Sequence, residues 1–162
     1  MREEQFERLY AAHAQGMLGF LVYRTGDRAL AEDLLADTFE RVLTAKRRYD
    51  PRKASEKTWL YTIALNLLRD HARRVAAAER ARERVTVGDR ADPQDGPLQA
   101  VEDRDAVQRA LQALSPEERE AIALRYGADL TVPEIARLTG EKLTTVEGRV
   151  YRALRKLKTE LE

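Results

Sequence analysis

Apolar residues recur at every third or fourth position along nearly all of this 162-residue chain, and no stretch alternates apolar with polar as a half-buried strand must. That spacing gathers the apolar side chains of each segment on one stripe, which restricts the chain to packed amphipathic helices. One stripe runs through Phe6, Leu9, Tyr10, His13, Met17, Phe20 and Leu21. Thr25-Gly26-Asp27 breaks it, and Asp27 is suited to cap a second helix over about 28–45, with Leu30, Leu34, Leu35, Thr38 and Val42 inward. A loop over 46–57 holds Asp50-Pro51 and six basic residues. A third helix is expected from near Thr58 past Arg74, fraying toward Val85, with Leu60, Ile63, Ala64, Leu67 and His71 buried.

Beyond a polar, acidic, Gly- and Pro-containing stretch at 86–97, helix starts become explicit. Ser115-Pro116-Glu117-Glu118 offers a capping serine, a proline in the first turn and a glutamate that reaches back to the cap. Thr131-Val132-Pro133-Glu134 repeats the box, and Thr144-Thr145-Val146-Glu147 is a third. The expected fold is all-α: two small helical domains, 1–80 and 99–162, joined by a flexible acidic linker at 81–98, with independent orientations in the free protein. The second domain contains a helix-turn-helix, made by Thr131–Leu138, a turn at Gly140, and a last helix that buries Val146, Val150, Leu154, Leu157 and Leu161.

The formal net charge of +1 conceals two basic blocks in an acidic frame: residues 41–74 carry +7 and residues 142–162 carry +3, against −4 for residues 1–40. Such blocks suit a polyanion, with a solvated helix face as the plainer reading. In the first block Thr62, Asn66, Arg69 and Arg73 fall at i, i+4, i+7 and i+11, on one polar face. In the second, Thr145, Gly148, Arg149, Arg152 and Lys156 lie on the exposed face of the last helix. The N-terminal half of that helix should enter the major groove, where arginine's fork matches the paired acceptors of guanine. Asp33, Asp37 and Glu40 form an acidic edge on the second helix.

The run from Ala31 through Asp33, Leu34, Asp37, Phe39 and Val42 closely resembles the polymerase-binding helix of extracytoplasmic-function (ECF) sigma factors. Tyr49-Asp50-Pro51 followed by Thr58-Trp59-Leu60-Tyr61-Thr62-Ile63-Ala64-Leu65-Asn66 and Asp70-His71-Ala72-Arg73-Arg74 resembles the segment with which that family opens and reads the −10 promoter element. The stretch from Leu114 through Thr131 to Leu157 resembles its −35-binding domain. The resemblance implies a sigma factor that confers promoter recognition and DNA opening. It implies −10 contacts by Lys53, Ser55, Lys57, Tyr61, Thr62, Asn66, Arg69 and Arg73, and −35 contacts by Thr145, Gly148, Arg149, Tyr151, Arg152 and Lys156. Asp33, Leu34, Asp37 and Phe39 would meet the polymerase. Implied partners are core RNA polymerase through its β′ and β subunits, promoter DNA and an anti-sigma factor, in the cytoplasm at the nucleoid. Tyr61 and Trp59 offer rings on which bases stack, although Trp59 better suits a core position that anchors the loop.

Two departures from the family pattern bear on specificity. Glu56 stands where many members carry an aromatic or small residue, and Glu147-Gly148 stands where a basic residue and serine are common. Glu147 has a structural explanation as the capping partner of Thr144.

Other classes fit less of the chain. A stand-alone helix-turn-helix regulator leaves the acidic edge unexplained, and a sigma-like decoy has no need of the DNA-facing basic residues. No enzyme or cofactor is expected: no phosphate loop or nucleophile–histidine–acid pattern is present. The absence of cysteine excludes disulfides and cysteine-ligated zinc, while His13 and His71 do not suggest a metal site. No signal pattern or membrane-length apolar run stands at the N-terminus or elsewhere, so a soluble, intracellular protein without membrane insertion is expected.

Overall fold

The computed structural model describes residues 3–85 and 102–162 of the chain; of the expected linker at 81–98, residues 81–85 continue the third helix and 86–98 lie outside the described residues. Among the described residues the regular structure is helical. The first unit contains α1 (Glu3–Thr25), α2 (Arg28–Ala45) and α3 (Glu56–Val85), with a single 3-10 turn at Lys46–Arg48. The second contains α4 (Glu102–Gln112), α5 (Pro116–Ile122), a π turn at Ala123–Gly127, α6 (Val132–Thr139) and α7 (Leu143–Leu161).

Local chemistry accounts for most of the boundaries. The Asp27 carboxylate accepts from the Leu30 N–H at 3.1 Å and starts α2. Reciprocal capping boxes form at Ser115/Glu118 and Thr131/Glu134. Gly140 ends α6 at φ 72°, in the left-handed region that glycine enters without strain. The expected third box does not form. Helix α7 starts two residues earlier, with Lys142 rather than Thr144 at the cap position, the Val146 N–H donating to the Lys142 carbonyl at 3.1 Å and no side-chain cap. Thr144 and Glu147 therefore lie inside the first turns and are exposed, and the capping explanation of Glu147 is withdrawn.

In the first unit α2 packs on α1 and α3, burying Met17, Phe20, Leu21, Ala31, Leu34, Phe39 and Val42. The buried face of α3 is turned from the expected one: Leu60, Tyr61, Ala64, Leu65 and Leu68 are inward, while Ile63, Leu67 and His71 are half-buried. Packing against two helices at once widens the apolar face beyond the single stripe that spacing suggests. In the second unit α4, α5 and α6 surround α7, which buries Val146, Val150 and Ala153. Arg119 ties the end of α4 to α5 by donating to the carbonyls of Leu111, Gln112 and Leu114 at 3.0, 3.3 and 3.3 Å.

The two units are not independently oriented. Their buried side chains form one continuous cluster, α1 packs on the π turn and α5, and α3 packs on α6. The polarity of the connecting stretch suggested independence, but the apolar surface of α1 on this side is too large to be left in water when a second apolar surface is tethered to it.

A strut inside the second unit gives a test of its electrostatics. The Glu118 carboxylate, 9% exposed, accepts from Lys156 Nζ at 2.7 Å and from the Ser115 N–H at 3.0 Å. These bonds hold its pKa below the ordinary 4.5 despite burial. A depressed folded-state pKa contributes stability that is fully present above the unfolded value and lost as pH falls through the folded one. We expect Glu118→Gln, which keeps an acceptor for Ser115, to cost about 1 kcal/mol near neutral pH, since Lys156 is half-exposed and screened. Melting temperatures followed below pH 4.5 should fall more steeply for the unsubstituted chain than for the variant, so that the two curves converge. Parallel curves would mean that the strut carries no pH-linked stability.

Candidate nucleic-acid interface

Two basic surfaces remain exposed after folding, one on each unit. On α3, Thr62, Asn66, Arg69 and Arg73 point outward in a row, as their spacing requires. The Thr62 hydroxyl donates to the Thr58 carbonyl at 2.8 Å, and Arg73 pairs loosely with Asp70 at 3.7 Å. Arg69 is half-exposed and reaches Glu120 of α5 at 3.3 Å. The preceding loop is fixed from within. The Tyr49 ring packs against the half-buried Trp59 at 5.0 Å, and its hydroxyl donates to the Ala54 carbonyl at 3.2 Å. Trp59 is thus the loop's anchor. The Ser55 hydroxyl accepts from the Thr58 N–H at 3.1 Å and caps α3, while Lys53 is exposed on the turn made by Asp50. Lys57 is half-buried, and its Nζ donates to the Asp129 carbonyl at 3.3 Å. Glu56, which the family pattern left without a role, lies in the first turn of α3, where the helix dipole favours a carboxylate.

Tyr61 is not part of this surface. It is 1% exposed, packs edge-on against Phe20 at 5.6 Å, and burial pushes its phenol above the ordinary range. A ring enclosed in this way cannot stack on a base without unpacking α1 from α3.

On α7, Thr145, Tyr151 and Arg152 are exposed. The half-buried Gly148 makes room for Arg152: a Cβ there would stand 3.0 Å from the Arg152 Nη1, so the guanidinium lies back over the glycine toward the helix start. Arg149 behaves differently. Both its terminal nitrogens donate to the Glu141 carboxylate, at 2.8 and 2.6 Å, in a fork that bridges the helix-turn-helix turn to α7. The pair lowers the pKa of Glu141 and raises that of Arg149. Lys156 is half-exposed, and its Nζ donates to the Glu118 carboxylate at 2.7 Å. Sequence spacing put Arg149 and Lys156 on one exposed face; Lys156 is exposed, Arg149 is half-buried, and their partners lie 8 and 38 residues away, beyond the reach of spacing.

The acidic edge of α2 is exposed at Asp33, Asp37 and Glu40, but Leu34 and Phe39 are each 4% exposed. Phe39 meets Tyr10 and Phe6 edge-on at 4.8 and 6.1 Å, so both apolar residues serve the core. The apolar groups that accompany the acids at the surface are Tyr10 and Leu43, 47% and 45% exposed. Tyr10 was assigned to the buried stripe, and Leu43 lies off every stripe. An exposed leucine one turn beyond three exposed acids was the signal available for it.

Among the described residues no cluster of His, Asp or Glu is placed to hold a metal ion, and no helix is long and apolar enough to cross a membrane.

The sequence matches the family description of sigma-70 region 2 over residues 9–78 and that of sigma-70 region 4 over residues 104–157. It is 32% identical over 161 residues to the ECF RNA polymerase sigma factor BldN of Streptomyces coelicolor; the match covers 95% of this chain and 59% of that protein, so the chain spans less than two thirds of that relative's length. It is also 32% identical over 166 residues to the ECF RNA polymerase sigma factor SigX of Bacillus subtilis, covering 95% of this chain and 84% of SigX. In structure it resembles the sigma factor RpoE of Bartonella quintana, solved in complex with the anti-sigma factor NepR, with a TM-score of 0.79 at 23% identity over 98% of this chain and 97% of that one. With both sigma regions present in order, each carrying its own basic helix, the chain belongs to the ECF sigma factors of RNA polymerase.

Proposed function

We propose a division of labour in which α3 and its preceding loop hold the −10 element, α7 reads the −35 element, and the acidic edge of α2 docks on core polymerase. The observation that carries this reading is the pair of exposed basic helix faces, α3 and α7, one on each sigma region. Opening a promoter takes bases out of the stack at a few kcal/mol each, and a cationic helix that bears an amide can hold both the strand and a base edge. Asn66, with Thr62, Arg69 and Arg73 around it, fits that task. Lys53 supplies charge to the backbone, joined by Lys57 only where its bond to the Asp129 carbonyl is released, and Ser55 shapes the helix start rather than contacting DNA.

On α7 the base-reading arginine is Arg152, supported by Thr145 and Tyr151. Arg149 is a positioning residue whose fork to Glu141 fixes the angle between the turn and the recognition helix. Phosphate binding passes from Lys156 to Lys158, exposed on the same helix. The domain roles follow: residues 1–80 for polymerase and the −10 element, 99–162 for the −35 element, and the stretch between as their tether. An anti-sigma factor is a further partner, by analogy with the complex of the Bartonella neighbour. The protein would act in the cytoplasm at the nucleoid.

The decisive experiment selects promoter DNA from a random library with this chain plus core polymerase, followed by run-off transcription; no enrichment over core alone would refute the reading. On the selected promoter, Arg152→Ala should cost about 1–3 kcal/mol and flatten discrimination in the −35 element. Lys158→Ala should weaken all sequences alike and reduce the salt slope by about one unit. Sequence-blind losses from both would assign α7 to backbone grip alone. Asp37→Lys should reduce competition for core polymerase by at least tenfold with the melting temperature unchanged; undiminished competition would move the docking face elsewhere.

A further inference from the structure

Helix α7 carries an apolar stripe that the core does not use. Leu143, Glu147, Tyr151, Leu154, Lys158 and Leu161 follow one another at steps of 4, 4, 3, 4 and 3 residues, the spacing of one face of a helix. At about 100° per residue this face lies between the buried Val146, Val150 and Ala153 on one side and the exposed Thr145 and Arg152 on the other. Its four apolar members are each at least 39% exposed. The Arg155 guanidinium lies over the Tyr151 ring, 5.9 Å from its centroid, and holds the ring along the helix.

The order of residues along this stripe is symmetric about its middle. Laid antiparallel on a second α7, Leu143 meets Leu161 of the second copy, Glu147 meets its Lys158, and Tyr151 meets its Leu154. All three pairs centre within half a residue of position 152, so one two-fold axis satisfies them together, and each pair then occurs twice. The parallel arrangement sets Glu147 against Glu147 and Lys158 against Lys158. Charge therefore selects the antiparallel one. Both charged groups are exposed, and neither has an ion pair among the described residues.

We propose that a second copy of this chain docks antiparallel on the α7 stripe, and that the resulting dimer is a form of the free protein that cannot hold −35 DNA, because Tyr151 and Lys158 lie in the join. The exclusion of DNA rests on the assignment of α7 to the −35 element; the docking does not. A helix of 19 residues is about 28 Å long. Contact between two of them falls at the low end of specific interfaces, about 1,200 Å² or less. Such a contact forms and parts with concentration, and DNA that binds only the monomer dissociates it by mass action. Free chain in excess over its promoters is thereby held in a form that does not occupy DNA.

The absence of cysteine allows the orientation to be read by cross-linking the full chain. Under mild oxidation a mixture of Glu147→Cys and Lys158→Cys chains should give a covalent dimer, and either variant alone should give far less. Sedimentation of the unsubstituted chain should show monomer and dimer exchanging in the micromolar range. Leu154→Ser should raise the dissociation constant of the dimer about tenfold or more, with the melting temperature little changed. Glu147→Lys and Lys158→Glu should each weaken the dimer about tenfold, and the two together in one chain should restore it, a rescue that a folding defect would not give. Duplex −35 DNA from the selected promoter should return the dimer to monomer. A chain that stays monomeric throughout the micromolar range, or cross-links equally in the mixture and in each variant alone, would overturn the docking. If in addition Leu154→Ser loses competition for core polymerase, the stripe belongs to the polymerase instead. A dimer that takes up −35 DNA without dissociating would overturn the exclusion. A dimer that forms as described in a chain that selects no promoter with core polymerase would overturn the −35 assignment and leave the docking standing.

Discussion

The approach of the α1 backbone to the π turn at Gly127 decides how the rest of this molecule is arranged. Each unit alone is a thin layer of helices with few residues to bury. Where Phe20 meets Gly127, the two layers share a single apolar cluster that runs from Leu9 to Ala153. Two features of α5 make this possible. The proline and capping box at its start fix its direction, and the π turn at its end shifts the following residues by one position. An ordinary α-helical ending would carry Gly127 around the axis and present a side chain to α1 instead. Leu130 is drawn inward by the same irregularity, its N–H donating to the Leu124 carbonyl at 3.0 Å.

Charge in this protein divides into a part that builds structure and a part left over for ligands. Arg119 holds the end of α4, Arg149 holds the helix-turn-helix turn, Lys156 joins α7 to α5, and Lys57 joins the units. These four have carbonyl or carboxylate partners fixed by packing. Arg152, Lys158, Arg73 and Lys53 are exposed. A count of basic residues therefore overstates the electrostatic grip available to DNA, and salt dependence should follow the exposed set. The same division explains why Gly148 is tolerated in a recognition helix despite a cost of about 1 kcal/mol relative to alanine. The space it leaves is filled by the guanidinium of the residue one turn on.

Helical class, element order and most element boundaries were readable from the sequence because they depend on spacing and on capping chemistry within four residues. The starts of α2, α5 and α6 came out on Asp27, Ser115 and Thr131. The start of α7 did not, since the Thr144 box competes with a helix that can begin on Lys142 without any side-chain cap. Faces were harder. Tyr61 and Phe39 lie next to polar site positions in sequence, and only the packing of three helices shows that both belong to the core. Hardest were the long-range pairs. Glu118 was recognised for its cap but not for Lys156, and Glu120 showed no sign in sequence of facing Arg24 and Arg69, 96 and 51 positions away.

The energetics of closure explain why such a contact can persist without freezing the protein shut. Burial of Phe20 and its neighbours favours closure by about 1.5–3 kcal/mol for each large side chain. Against this stand the ordering of the tether and the desolvation of Arg24, Arg69 and Glu120, whose geometry returns one hydrogen bond where several are possible. A carboxylate held by a well-formed guanidinium fork makes a firmer strut, as the single Glu141–Arg149 fork does within the second unit. At the boundary between the units the same residue types are left a few tenths of an ångström to an ångström too far apart, at 3.3 and 4.0 Å. Strong pairing inside each unit and slack pairing between them is the pattern that keeps each unit intact while leaving the join between them free to open.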